Sequence, residues 1–302
     1  MYTAEKIHAV VVTYFPNIAD LENELAILTK QVSFIWLIDN GSGPKLQSWF
    51  NESPYAGEVQ FVAMTSNEGI AKAQNKGIAF SIHAGADYVL LMDQDSQPSE
   101  NMVEVLLQKA RELPDLAAVG PKFLDHRRKS RGYSSKIQPV DMQTDINSHL
   151  VKPVTHLISS GCLIPVPVLK KVGAMREDLF IDYVDIEWCF RAKAKGLQSY
   201  EISNAHMRHQ LGDEPLSFFG KTVASHSPLR HYYQFRNALL LYRSADVTLS
   251  WKVKDAWYMT QKFILFMLLA KPRAMHIKMM ILGLWHGVLE KSGDFSAPTQ
   301  RH

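Results

Sequence analysis

The stretch Tyr88-Val89-Leu90-Leu91-Met92-Asp93-Gln94-Asp95-Ser96 decides how the rest of the chain is read. A short apolar run, bounded by Gly85-Ala86-Asp87 and by Gln97-Pro98, predicts a buried strand that emerges into a loop. Asp93 and Asp95 stand where that strand ends. Open α/β sheets bind ligands at the carboxyl ends of their strands, so chemistry is expected here. Residues two apart in an extended chain point the same way, and a turn lets both carboxylates approach one hard cation. Mg²⁺ or Mn²⁺ suits such oxygen donors, with water and phosphate oxygens completing the shell. An isolated Asp-x-Asp is more often a solvated turn, so the surrounding chain has to decide.

The chain has 302 residues, enough for one large domain or a domain with an appendage. Hydrophobic residues at 46% and charged residues at 21% are the proportions of a globular protein with a substantial core. A net charge of +3 is too mild to predict a nucleic-acid partner. Cys162 and Cys189 form no Cys-x-x-Cys, which fits a reducing compartment and gives no zinc signature. No secretory h-region opens the sequence, and no apolar run approaches the ~18 residues that span a bilayer. A cytoplasmic protein is expected.

Upstream, His8 to Thr13 reads as a buried parallel strand, broken by Tyr14-Phe15-Pro16-Asn17. From Asp20 a helix is marked by Leu21, Leu25 and Leu28. Phe34 to Ile38 is the next strand, ending in the turn Asp39-Asn40-Gly41-Ser42-Gly43, and Val59 to Ala63 is a third. Asn67-Glu68-Gly69 opens a helix of small residues from Ile70 to Ala84. Beyond the Asp93 strand, Glu100 to Glu112 reads as another helix. This alternation predicts an α/β fold with a mostly parallel central sheet flanked by helices. After the first strand there is no Gly-x-Gly-x-x-Gly and no Walker lysine. Thr13-Tyr14-Phe15-Pro16 cannot wrap phosphate as a glycine-rich loop does, but it can wall a base pocket. Asp39 either accepts a hydrogen bond from a pyrimidine imide or caps its own turn, and both readings stand.

Downstream, Arg127-Arg128-Lys129 with Arg131 reads as a solvated loop or a lid for anionic groups. Strand character returns from Leu157 to Val166 and from Leu197 to Ile202. Between them Asp182, Asp185 and Glu187 sit among Phe180, Tyr183 and Trp188. Three apart, Asp182 and Asp185 are expected to be helical neighbours. An acid near a helix N-terminus can simply serve the macrodipole. The same apolar setting also raises a carboxylate pKa toward general-base use. His209 beside Gly212 is a candidate metal or diphosphate contact. Arg230 and Arg236 are candidates for a phosphate clamp, and at least one is expected to act on substrate.

In order, Val10-Val11-Val12-Thr13-Tyr14, Asp39-Asn40-Gly41-Ser42, Asn67-Glu68-Gly69, Asp93-Gln94-Asp95 and Asp185-Ile186-Glu187-Trp188 resemble the inverting family 2 glycosyltransferases of GT-A fold. The resemblance covers roughly Ile7 to Arg243. Within the family, Met92 to Ser96, Phe180 to Trp188, and Ser227 to Tyr233 with Arg236-Asn237 look most like bacterial rhamnosyltransferases. It implies a dTDP-L-rhamnose donor and a growing surface glycan on a lipid carrier as acceptor, with a UDP-hexose donor as the alternative. It also implies Asp95 as the direct ligand of Mg²⁺ or Mn²⁺, with Asp93 reaching metal or ribose. Asp185 matches the base that deprotonates the acceptor for one inverting displacement. Asp39 matches the base-recognition acid, with Thr13 and Tyr14 flanking the pyrimidine and Asn67 on the donor side. His209 and Arg230 carry over near the diphosphate. Gln94 departs from the all-acidic triplet common in the family, but both outer carboxylates remain.

Residues 1–243 are thus the expected GT-A domain, and residues 244–302 a basic helical appendage. In that region Trp251-Lys252-Val253-Lys254, Lys262-Phe263-Ile264-Leu265-Phe266 and Lys271-Pro272-Arg273 mix bases, aromatics and aliphatics. Basic amphipathic helices with tryptophan read as lying on an anionic membrane surface. The other reading is an appendage packed on the core or on a second copy in a homo-oligomer. The expectation is a cytoplasmic enzyme peripheral on the inner face of the cytoplasmic membrane. A nucleotidyltransferase would want a Gly-rich basic loop after the first strand, and a glycoside hydrolase would leave the Asp-x-Asp without a task. A non-catalytic nucleotide-sugar-binding protein is the remaining alternative.

Overall fold

Ile7–Thr13 is buried along its whole length and forms β1 of the computed structural model, which describes residues 5–124, 151–209, 213–218 and 221–295. A strand buried on both faces needs cover on both. Ala9 and Val11 meet Leu21, Leu25 and Leu28 of α1 (Ile18–Leu28) on one face. On the other, Val10 and Val12 join a core that includes Ala71, Ala73 and Ile78. β2 (Phe34–Asp39), α2 (Pro44–Glu52), β3 (Val59–Ala63), α3 (Ile70–His83) and β4 (Tyr88–Asp93) follow. α3 lies so close to β1 that a Cβ on Gly77 would come within 2.3 Å of a Val10 methyl. The strands run parallel in the order β3-β2-β1-β4, as the apolar runs predict. α2 escapes the apolar pattern: its signals are Gly43 as N-cap and Pro44 in the first turn.

Past β4 the sheet becomes mixed. β5 (Ser96–Pro98), α4 (Met102–Glu112), β6 (Leu116–Leu124), β7 (Val151–Val154) and β8 (Cys162–Pro165) come next, then α5 (Val166–Val172), α6 (Val184–Ala194) and β9 (Gln198–His209). β8 is antiparallel to β4 and β6, β6 is parallel to β9, and β5 and β7 are antiparallel to β9. Of the strand expected over Leu157 to Val166, only Cys162–Pro165 is a strand: Ser159 to Cys162 form a turn with Gly161 at φ 77°, and α5 begins at Val166 with Pro167 in its first turn. β10 (Asp213–Phe218) and β11 (Lys221–Ser225) make a separate hairpin. The basic cluster at residues 127–131 lies outside the described residues.

α7 (Pro228–Arg243) is capped by the Ser227 hydroxyl, which accepts from the Arg230 N–H at 3.3 Å. It is buried nearly all round, and α8 (Leu249–Leu269) and α9 (Arg273–Val288) pack on it. Gly283 permits the closest approach: a Cβ there would meet the Tyr232 carbonyl at 2.4 Å. Among the described residues no helix is long and apolar enough to cross a membrane.

Candidate active site

Three strand ends meet at one edge of the sheet. Thr13 is in register with Asp39, and Val12 with Asp93. A cleft of about 610 Å³ opens there, lined by Thr13, Tyr14, Asn67, Asp93, Asp95, Asp185 and Arg230. Asp39 is 1% exposed, beside this lining. Its carboxylate accepts from the Ser42 N–H at 3.1 and 3.0 Å, from the Ser42 hydroxyl at 2.5 Å, and from the Thr13 hydroxyl at 3.4 Å. Turn capping is therefore realised, and it fixes the carboxylate beside Thr13. The Asn67 side chain accepts from Asn40 Nδ2 at 2.9 Å and from the Gly69 N–H at 3.0 Å, which ties the two loops together.

Gln94 explains its own departure from an acidic triplet. Its Oε1 accepts from the Tyr14 N–H at 2.6 Å, and its Nε2 donates to the Tyr14 carbonyl at 3.1 Å. A carboxylate could accept but not donate. The amide locks the Tyr14 loop to the Asp93–Asp95 turn, while the Tyr14 ring stays 44% exposed at the cleft.

Asp93 is anchored through its backbone N–H, which donates to Ser160 Oγ at 3.1 Å. Its Oδ1 is sealed from solvent without a hydrogen-bond partner. Burial first, then the charges of Asp95 and Asp185, push its pKa up to about 7, against the opposing pull of Arg230. Behind it, fully buried on α1, Glu24 has both carboxylate oxygens unpartnered, and burial holds it well above the usual carboxylate range. The sequence carried that signal as an acid on the inward face beside Leu21, Leu25 and Leu28. An orphaned carboxylate oxygen amid crowded acids is the environment a hard divalent cation relieves. Among the described residues no three His, Cys, Asp or Glu side chains converge to hold a metal by themselves. Two carboxylates with water and phosphate making up the shell is an ordinary arrangement for Mg²⁺, so these residues fit the group. The His209 side chain lies outside the described residues; its backbone pairs with that of Ser96, next to Asp95.

Asp185 enters the cleft from the first turn of α6. Asp182 is not on that helix. Phe180, Asp182 and Tyr183 adopt φ of 66°, 62° and 66°, left-handed values that bulky residues seldom take without support. Asn237 supplies it, donating to the carbonyls of Leu179, Ile181 and Asp182 at 2.8, 2.8 and 3.1 Å. Arg236 adds bonds to the Asp178 and Leu179 carbonyls at 3.3 and 2.9 Å. Arg236 is thus a backbone clamp rather than a phosphate contact. Gly69, at φ 89°, lets α3 start against this loop, since a Cβ would strike the Phe180 carbonyl at 2.6 Å. Asp182 pairs instead with Arg230, Nε to Oδ2 at 3.2 Å. Glu187 is buried against Arg191 at 2.9 Å. Burial raises the Asp185 pKa to about 6 and Asp182 adds to it, while the Ile186 N–H, donating at 2.8 Å, works the other way.

α8 adds to the lining, with Asp255, Tyr258, Met259 and Lys262 on the same cleft. Sequence reading treated this segment as an appendage, because nothing in its composition shows which stripe faces a cleft.

Residues 10–173 match the family model described as glycosyl transferase family 2. The chain is 31% identical over 291 residues to the dTDP-rhamnosyl transferase RfbF of Shigella flexneri, covering 93% of this chain and 95% of that one. It is 20% identical to the low-salt glycan biosynthesis hexosyltransferase Agl10 of Haloferax volcanii, over 94% and 92% of the two chains. The crystal structure of GalNAc-T7 with UDP, GalNAc and Mn²⁺ superposes with a TM-score of 0.54 at 14% identity, over 68% of this chain and 43% of that one, a likeness of fold. The chain belongs to glycosyl transferase family 2 and is a glycosyltransferase of GT-A fold.

Proposed function

We propose that the protein transfers L-rhamnose from dTDP-L-rhamnose to a hydroxyl of a surface glycan carried on a lipid, with inversion at the anomeric carbon. The observation that carries the chemistry is one cleft holding the Asp93–Asp95 pair and, on a separate element, the half-buried Asp185. The rhamnosyl donor is supported by the identity to the Shigella flexneri rhamnosyl transferase over nearly the whole of both chains.

Asp95 and Asp93 would hold Mg²⁺ or Mn²⁺, which when bound supplies positive charge where the nucleoside diphosphate leaves. Asp185 takes the proton of the acceptor hydroxyl as that oxygen attacks the anomeric carbon, and with a pKa near 6 it is ionised at neutral pH yet basic enough to serve. Thr13 and Tyr14 flank the pyrimidine, and Asp39 keeps acceptor capacity for its imide N–H beyond the bonds of its turn. Asn67 completes the donor side. Arg230 offers its guanidinium to the diphosphate from the Asp182 pair. His209, which ends the strand paired with the residue after Asp95, is kept as a further metal or diphosphate ligand.

We divide the chain functionally at residue 243: residues 1–243 bind donor and do the chemistry, and residues 244–302 serve acceptor and surface. Leu249, Val253, Trp257, Ile264 and Leu268 of α8, with Ile281, Trp285 and Val288 of α9, are exposed large apolar side chains. Lys254, Lys271, Arg273 and Lys278 are exposed among them. Apolar stripes with basic residues complement an anionic lipid surface, and this supports our reading of an enzyme peripheral on the inner face of the cytoplasmic membrane. Flotation should find it on phosphatidylglycerol vesicles and not on phosphatidylcholine ones, and Trp257→Ser with Trp285→Ser should release it. A concentration-dependent dimer with no flotation would assign the stripes to a second copy instead.

The function itself is tested by hydrolysis of a nucleotide-sugar panel. Release of dTDP from dTDP-L-rhamnose, with UDP-glucose, UDP-galactose and UDP-N-acetylglucosamine inert, is the expected result. A preference for a UDP-sugar keeps the fold and mechanism and sinks the rhamnosyl donor.

A further inference from the structure

Lys262 sits where the family pattern gives no reason for a cation. It is on α8, well beyond residues 10–173 matched by the family model, yet it lines the cleft that holds Asp93, Asp95 and Asp185. Its side chain is buried, 9% exposed. The Nζ donates at 2.5 Å to Gln234 Oε1, a neutral amide oxygen. Gln234 passes the contact on, its Nε2 donating to Asp182 Oδ1 at 3.4 Å. The two acids nearest in charge are already engaged. Asp182 pairs with Arg230, and Asp255 accepts from the Tyr183 and Tyr242 hydroxyls at 3.0 and 2.6 Å. An ammonium taken out of water against an amide and the Tyr258 and Phe266 rings, each 5.9 Å away, lacks a carboxylate partner of its own. Burial accordingly draws its pKa down to about 8. A desolvated cation in a cleft wall is a receptor for an anion that arrives with substrate.

The position along the cleft says which substrate. Asp93 feels Asp95, Asp185 and Arg230. Lys262 feels Asp182, Arg230 and Asp255. By contact, Lys262 reaches Arg230 through Gln234 and Asp182, so it is set back by two side chains from the guanidinium offered to the donor's diphosphate. Tyr258 lies on the same wall, its ring centroid 5.9 Å from Nζ, and is 49% exposed, a platform of the kind that stacks on a sugar face. α8 is thus two-sided: Asp255, Met259 and Lys262 face the cleft, while Val253, Trp257 and Ile264 face outward.

We propose that Lys262 is a specificity-determining residue of the acceptor subsite, where it binds an anionic group, phosphate or carboxylate, carried by the acceptor glycan. This deepens the glycosyltransferase reading and rests on it. A glycan on a lipid diphosphate and a uronate-containing glycan both offer that chemistry.

The test is binding to the full-length protein, by calorimetry, of octyl diphosphate, octyl glucuronide and the neutral octyl glucoside, with dTDP and UDP titrated separately. At least one anionic probe should bind about tenfold more tightly than the glucoside, the gain of one charge-assisted hydrogen bond. Lys262→Met should remove that excess, Lys262→Arg should keep it, and nucleotide affinity should stay within about twofold of the wild type. Whichever anionic probe shows the lysine-dependent excess names the source, lipid phosphate or uronate. Equal binding of anionic and neutral probes to the wild-type protein overturns the proposal without any variant having to fold. Loss of nucleotide affinity in a folded Lys262→Met reassigns the lysine to the donor and overturns it too. No donor is turned over in these titrations, so a wrong donor assignment appears only in the hydrolysis panel.

Discussion

Asp185→Asn is expected to bind nucleotide as the wild type does, within about twofold, and to lose turnover by about 1,000-fold or more, the scale of a general base. The substitution removes the proton acceptor and leaves the first turn of α6 in place. Wild-type kcat should fall as pH drops through about 6, where the Asp185 carboxylate is protonated. The residual rate of the variant should lack that limb. Stability should move the opposite way. The folded carboxyl is pushed up to about 6 from its ordinary 3.8, so between those values the folded state holds more protons than the unfolded one. Wild-type stability then falls as pH rises across that window, and above it the desolvated charge is a standing cost of about 3 kcal/mol. The asparagine carries no such cost. Its Tm should exceed the wild type's by a few degrees at pH 8 and converge with it near pH 4. An Asp185→Asn enzyme that keeps turnover within tenfold removes Asp185 from the mechanism, and one that fails to bind nucleotide shows a fold defect instead.

The strand-end half of this cleft was legible because buried parallel strands are written as apolar runs. Ile7–Thr13, Phe34–Asp39 and Tyr88–Asp93 each announce both a strand and its end, and the end is where Thr13, Asp39 and Asp93 stand. Past β4 the same logic weakens. β6 contains Gly120 and Pro121, and β9 continues through Asn204 to His209, so neither pattern marks its full length. Left-handed backbone at Asp182 and Tyr183 left no local trace either, because it is imposed by Asn237 and Arg236 more than fifty residues away. Arg236 looked like an anion binder for the same reason: sequence shows a guanidinium but not the carbonyls that occupy it. Lys262 is the converse. It read as one base in an amphipathic appendage, and only tertiary packing turned its stripe of α8 into a wall of the cleft.

Asp95→Ala separates the cation-assisted reading from a cleft that works through Arg230 and dipoles alone. Turnover should fall by about 1,000-fold or more, since the charge that develops on the leaving diphosphate would lose its main compensation. Mn²⁺ binding in the presence of dTDP, followed by electron paramagnetic resonance, should weaken by at least about tenfold, a readout independent of catalysis. Asp93 predicts a second signature. Burial is the first cause of its raised pKa and Asp95 the second, so removing Asp95 should lower that pKa only in part. Asp93 is then a single carboxylate donor where the ion had two, so added Mn²⁺ should not restore Asp95→Ala to the wild-type rate. Asp95→Asn keeps an oxygen donor without the charge and should fall between the two. If Asp95→Ala still binds Mn²⁺ with dTDP as the wild type does, Asp95 is not the direct ligand, and the role passes to Asp93. If binding is lost while turnover stays within tenfold, the bond breaks without the ion, and stabilisation of the leaving group falls to Arg230, the guanidinium whose charge already reaches Asp93.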